Sequence, residues 1–344
     1  MVFYYFRSIN MMRYLNLNKL KSLIFLFAAI VLQGCVEKPG NYVNGQISKG
    51  ERDDFHFMNA RVLKYLKANS MDTLSVDLSK DLIDYPGTLR QVELISNQLK
   101  NSEYSLLDEY YIVKDTTNVD STVRIASPEK GENAYKLLFT GKAGETYVAL
   151  FLPKAGSHKY LISIEYYKYE YGWKVCSLDL GQYSINNKTA PEYYEMAKQE
   201  FAQNYLANAV FDLQMADACL RPSEIWQYPA TTKIANHYGD IINKVNAMYK
   251  FPLVLEQVPT HPKIFSIMDR TINGETYPAV FYISTIKLAD TIGLRKENEN
   301  IKKVIGTLIP GIDKDKKALV YSAYNEMPSA EKAVDYFDMI DAFK

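Results

Sequence analysis

The spacing of apolar positions divides the chain into alternating helical and extended stretches. Phe55, Met58, Val62, Leu63 and Leu66 recur at helical spacing, so Asp53–Asn69 reads as a helix, with Asp53 and Asp54 favouring its N-terminus. After the breaker Pro86-Gly87, Leu89, Val92, Ile95, Gln98 and Leu99 predict a second helix over Thr88–Lys100. The period then changes to two. Tyr104–Val113, Ala134–Thr140, Tyr147–Leu152, Tyr160–Tyr169 and Trp173–Leu180 read as strands rich in Tyr, Ile, Val and Leu, separated by polar or glycine-bearing turns. Helical spacing returns in Pro191–Gln203, Leu206–Leu220 and Thr232–Tyr249. Pro252–Val258, Lys263–Ile272 and Tyr277–Leu288 read as strands, with Asn273-Gly274 as a hairpin turn because both residues accept positive φ. Asp290–Leu308 is mixed and most helical from Lys296 onward, and Ala318–Tyr324 is another strand. Ser329–Phe343 is expected to close the chain as a helix, with Ala333, Tyr336, Phe337, Ile340 and Phe343 in register. Helices followed by hairpin-linked strands define an α+β class.

The start of the chain has a different character. Residues 1–34 hold Arg7, Arg13, Lys19 and Lys21 and no acid, ahead of the apolar run from Leu23 to Leu32. That run is shorter than the roughly 20 residues of a membrane span, but suits the h-region of a signal peptide. It ends in Leu32-Gln33-Gly34-Cys35, which resembles the lipobox of bacterial lipoproteins. The resemblance implies that 1–34 is a cleaved signal peptide and that Cys35 is lipidated and becomes the first mature residue. Two or more acyl chains anchor a protein stably where one does not. It also implies a cell-envelope location, with Val36 in place of an inner-membrane retention aspartate pointing to the outer membrane. The polar stretch 35–50, with Pro39-Gly40 and Asn44-Gly45, reads as a flexible tether. Met11 and Met12 are alternative starts to Met1. Asp72-Thr73-Leu74, Asp115-Thr116-Thr117, Asp120-Ser121-Thr122 and Asp290-Thr291-Ile292 resemble the O-glycosylation acceptors of Bacteroidota, and solvated loop or cap residues explain each as well.

The long hairpin Ile162–Val175 with its Gly172-Trp173-Lys174 turn, closed by Leu178-Asp179-Leu180-Gly181, resembles the end of the NTF2-like fold. That resemblance covers 51–185 and implies helices packed on a curved antiparallel sheet; the third helix usual before the sheet is missing. In 190–249, Tyr193, Met196, Ala197, Ala209, Leu213 and Ala216 fall where a single tetratricopeptide unit places its large and small residues, and no second unit follows. The remaining stretch, 250–344, reads as a smaller C-terminal α+β domain.

Composition narrows the chemistry. The chain has 344 residues, with 40 Lys+Arg against 40 Asp+Glu, and no basic block of the kind a nucleic-acid binder carries. Three cysteines cannot make a disulfide-dense scaffold; Cys176 and Cys219 could form one bridge, but their strand-like and helix-like settings favour two separate buried thiols. There is no phosphate-binding glycine loop, no HExxH and no GxSxG, and the four histidines are scattered, so neither a cofactor nor a metal is expected. Ser127-Pro128-Glu129-Lys130 fits SxxK by letters, but in a proline-containing loop.

Enzymes among the NTF2-like proteins use an acid or histidine inside the fold as a base. Glu165 and Asp179, on the two last strands, are the candidates here. Alternation places Glu165 with Leu161, Ser163 and Tyr167 on the more polar, solvated face. The 28 tyrosines are the outlier of the composition and suit both strands and contact surfaces. Tyr167, Trp173 and Trp226 are the candidate binding residues, with Trp226 in Pro222–Pro229 either an exposed anchor or an interdomain plug. The expectation is a lipid-anchored envelope protein that binds or scaffolds a protein or small-molecule partner without catalysis. Its alternatives are a small-molecule isomerase or hydratase and an immunity or inhibitor protein against an envelope toxin.

Overall fold

In a computed structural model, residues 38–115, 121–314 and 316–343 are described. The signal peptide, Cys35 and parts of two of the Asp-Thr/Ser stretches lie outside them. The stretch read as a tether is structured from Gly40. It gives strand β1 (Gly40–Val43) and a 3₁₀ turn, Asn44–Gln46. Asn44 takes the left-handed conformation and its side chain bridges two neighbours, donating to Asp108 at 2.7 Å and accepting from the Glu109 N–H at 2.8 Å. Helix α1 (Lys49–Ala68) then starts at Ser48, whose hydroxyl accepts the Glu51 N–H, and ends at Asn69 in the left-handed conformation. Two short helices, α2 (Met71–Leu74) and α3 (Lys80–Asp84), lead to α4 (Thr88–Asn101).

The first sheet runs β1-β2-β5-β6-β7, with β2 (Tyr104–Val113), β5 (Glu145–Pro153), β6 (Lys159–Tyr169) and β7 (Gly172–Ser184) antiparallel in sequence. One face packs on α1 and α4. Phe55, Val62 and Leu66 of α1 and Val92 and Ile95 of α4 meet Tyr147, Ile162, Ile164 and Tyr166. Helix stripe and strand alternation match here as the sequence predicts, except that Leu89 at the start of α4 is exposed.

The other face is the departure. Alternation suggests a solvated surface, yet it is covered by a second layer. That layer is the small antiparallel sheet β3 (Thr122–Ala126), β4 (Lys136–Thr140) and β8 (Trp226–Gln227), backed by α5 (Ala190–Ala202) and α6 (Leu206–Ala218). Tyr110, Val148, Leu150 and Leu161 of the large sheet share one core with Ile125, Leu137, Phe211, Met215 and Trp226. A sheet buried on both faces must satisfy its inward polar groups internally. Ser163 meets the Ser223 hydroxyl at 2.9 Å, and Asp179 accepts the Glu224 N–H at 2.7 Å.

Helix α5 begins with a capping box in which Glu192 accepts the Thr189 N–H at 2.8 Å. Ala197, Ala209 and Ala216 are fully buried between α5, α6 and their neighbours, so the small residues of the helical hairpin permit close packing. Helix α7 (Thr231–Met248) packs on α6 through Ile241.

The C-terminal sheet runs β13-β12-β11-β10-β9, from β9 (Leu253–Val254), β10 (Lys263–Ile272), β11 (Glu275–Ile283), β12 (Ala318–Tyr324) and β13 (Tyr336–Ala342). Asn273 and Gly274 both have positive φ at the β10–β11 turn, as predicted. Helix α8 (Thr291–Leu308), capped by Asp290, crosses between the parallel strands β11 and β12. The expected terminal helix is instead β13, paired antiparallel with β12 with Ile340 opposite Val320. Phe337 and Met339 face the core with α8, while Tyr336, Asp338 and Ile340 alternate to the other face. The free edge of β12 overrides the helical stripe of Ala333 to Phe343, whose aromatic and β-branched residues also suit a strand.

Gly181 in β7 is where the cover touches the sheet. A Cβ there would lie 2.5 Å from the Pro222 carbonyl oxygen, which is backbone and cannot move aside cheaply. Gly181→Ala is expected to cost about 1–3 kcal/mol of stability by urea unfolding. An unchanged midpoint would show that the loop 221–225 does not press on the strand.

Candidate functional site

The sequence-derived candidates do not converge. Trp173 lies on the helix-facing side, edge-on to Phe55 with ring centres 5.2 Å apart. Tyr167, partly buried on β6, faces the opposite way beside Glu165 and Cys176. Trp226 is only 4% exposed and stacks on Tyr135 at 3.4 Å between centres, with Tyr183 and Tyr228 edge-on to it. It plugs the covered face and offers no surface. Cys176 and Cys219 are both free thiols; burial pushes the Cys219 thiol up to about 12, leaving it an inert core group.

Glu165 is 7% exposed, which corrects the solvated reading. Burial pushes its carboxyl up to about 7 from the usual 4.5; a hydrogen bond with Ser177 opposes the shift, and the charges of Asp179 and Glu224 add to it. Asp179 is engaged by the Leu180 and Glu224 N–H groups, so it fastens the loop over the strand. Neither side chain lines the recesses described below.

His56 also belongs to the scaffold. Its Nε2 lies 3.1 Å from Glu109, which accepts the Tyr147 hydroxyl at 2.9 Å. Asn59 donates to Tyr147 at 2.7 Å and accepts from Tyr166 at 2.8 Å. This chain of bonds ties α1 to the sheet.

The residues that do converge lie at a junction no motif marks. There the turn after β7, helix α6 and the β10–β11 hairpin meet. Asn186, held at positive φ, donates to the Thr276 carbonyl at 2.6 Å and accepts the Thr276 N–H at 3.0 Å. His158 Nε2 lies 3.1 Å from the Asn186 side-chain oxygen, and Ser157 donates to the Gly274 carbonyl at 2.9 Å. Asn186 thus mimics a strand neighbour and locks the hairpin in place.

Two recesses flank this lock. The wider, of about 400 Å³, is open and polar, with His158, Gln182, Gln214, Asp217, Asp269 and Thr271 around it. Its polar groups come from four separate chain segments, an arrangement suited to orienting a polar ligand. The narrower, of about 100 Å³, is lined by Tyr193, Phe211 and Tyr277 together with Lys188, Asp212, Lys316 and Lys317. Lys316 is buried, 2.9 Å from Asp212 and 3.3 Å from Glu200. A third recess, of about 170 Å³, is lined by Val210, Ile242, Val245, Tyr249 and Phe251.

Sequence reasoning missed Asn208 and Asp212. Helix α6 is apolar almost all round, which marks a helix buried on every side. Two polar residues four apart on such a helix must be paired or functional. That was the available signal.

Among the described residues no group of three or more His, Cys, Asp or Glu is placed to hold a metal, and no helix is long and apolar enough to cross a membrane. Compared with protein families, curated proteins and solved structures, the chain finds no match.

The Glu165 environment fixes a pH dependence. A carboxyl raised from 4.5 to about 7 by folding favours the native state below pH 4.5, and that contribution is lost between pH 4.5 and 7. The loss amounts to about 3 kcal/mol at 1.36 kcal/mol per unit. Glu165→Gln should raise the urea midpoint at pH 8 and leave it nearly unchanged at pH 5. A difference of equal size at both pH values would contradict the assignment.

Proposed function

We propose that this chain is a lipid-anchored cell-envelope protein that binds a polar small molecule or peptide segment in the open recess at the junction, without catalysing its conversion. The observation that carries the binding reading is the recess itself, where His158, Gln182, Gln214, Asp217 and Asp269 converge. The anchor rests on the lipobox, with acyl chains on Cys35 holding the protein at the membrane, in the outer membrane by the identity of Val36. We read 51–185 as an NTF2-like domain, supported by helices that precede an antiparallel sheet closed by a long hairpin. In this reading the face that would form the family's cavity is filled by β3, β4, β8 and α6, which moves binding out to the junction. We read α5–α6 as one tetratricopeptide-like hairpin, supported by its buried small residues. The C-terminal α+β unit supplies the third wall of the recess.

Metabolic labelling with radioactive palmitate tests the anchor. Wild type should be labelled and Cys35→Ala unlabelled; an unlabelled wild type refutes the anchor. Native mass spectrometry of protein purified from its own membranes tests the recess. A small polar adduct should be retained by wild type and lost in Gln214→Trp. An adduct equally retained by that variant would place the ligand elsewhere.

A further inference from the structure

Beside the narrow recess lies a cluster of three charged side chains, of which Asp212 and Lys316 line it. Glu200 and Asp212 are buried and the Lys316 side chain is 6% exposed, so two acids face one base there. Lys316 donates to Asp212 Oδ2 at 2.9 Å and to Glu200 Oε1 at 3.3 Å. The second oxygen of Glu200 takes a long bond of 3.4 Å from Asn208. Asp212 Oδ1 accepts nothing, although Asp212 is 0% exposed. A buried carboxylate oxygen without a donor is costly, on the order of 1–3 kcal/mol and more for a charged group. Asp212 is also a wall of the recess, where Tyr193, Met196, Phe211, Tyr277 and Pro278 alternate with Lys188, Lys316 and Lys317.

We propose that the narrow recess is a binding site for the protonated primary amine of a small molecule, with the ammonium donating to Asp212 Oδ1 and a short apolar tail against Tyr193, Met196 and Phe211. A single positive charge at that oxygen balances the buried trio. An ammonium supplies the missing donor, and the faces of the surrounding rings favour a cation. The site is separate from the open recess and independent of the lipid anchor.

The other titratable or charged groups around Asp212 are Tyr193 and Glu200 on α5, Lys188 in the turn before it, Tyr277 on β11, and Lys316 and Lys317 before β12. Lys188 is partly exposed, so its charge is screened by solvent. Lys317 is taken by Glu275 at 3.2 Å. Burial pushes the Asp212 carboxyl up to about 6 against the pull of Lys316, so a proton competes with the amine for the same oxygen.

Calorimetric titration of the full chain with propylamine and, separately, propanol tests the assignment. Propylamine stays protonated throughout the range used. It should bind at pH 8 and about tenfold more weakly at pH 5, where most of Asp212 carries the competing proton. Propanol should bind at least tenfold more weakly than the amine at pH 8. Asp212→Asn should abolish amine binding, and Glu200→Gln should keep the pH response. No heat with propylamine on folded wild type at pH 8 overturns the proposal. Equal affinity for propanol, or an affinity that ignores pH, also overturns it. The wild-type measurements stand if Asp212→Asn fails to fold, and a negative result leaves the anchor and the open recess as separate questions.

Discussion

The structure depends on a central antiparallel sheet that is buried on both faces. One face is closed by α1 and α4, close in sequence to the strands they cover. The other is closed by β3 and β4, inserted in the chain between β2 and β5, and by α5, α6 and β8 from farther along the chain, with Trp226 stacked on Tyr135. A two-sided core buries Leu161 to Tyr166 of β6 and leaves β7 beside them partly covered. That single fact raises the Glu165 carboxyl, requires partners for Ser163 and Asp179, and requires a glycine at 181 where the covering loop touches the strand.

The same closure decides where ligands can go. A sheet with one open concave face invites a cavity against it, and the acids on its strands become candidate bases. Here that space is filled by side chains from β3, β4, β8 and α6. Recesses open at the periphery, two of them where the covered sheet meets the β10–β11 hairpin and Asn186 clasps Thr276. The polar groups that line them come from segments far apart in sequence. Loops and junctions held by a rigid scaffold are common places for binding groups.

Local patterns in the sequence carried most of the elements. The bounds Tyr104–Val113 and Ala318–Tyr324 match the strands, and Asn273-Gly274 forms its turn because both residues tolerate positive φ. Short strands were less legible: Thr122–Ala126 and Trp226–Gln227 owe their conformation to neighbours. Tyr336–Ala342 carries aromatic residues that fit a helical stripe and a strand equally, and the edge of β12 decides the matter. The polarity of the Glu165 face misled because its cover, Ser223 to Trp226, lies about 60 residues onward. The junction was invisible for a similar reason, since His158, Gln214 and Asp269 share no motif or spacing. Asp212 was legible in principle, as a charged residue on a helix apolar almost all round.

The most direct measurement of this account is the fluorescence of Trp226 as the sole tryptophan, in a Trp173→Phe background. Burial between the large sheet and its cover predicts blue-shifted emission that resists acrylamide quenching until the protein unfolds. Emission like that of free indole, quenched in the native protein as readily as in urea, would mean that the second face is open, and the two-sided core would be wrong.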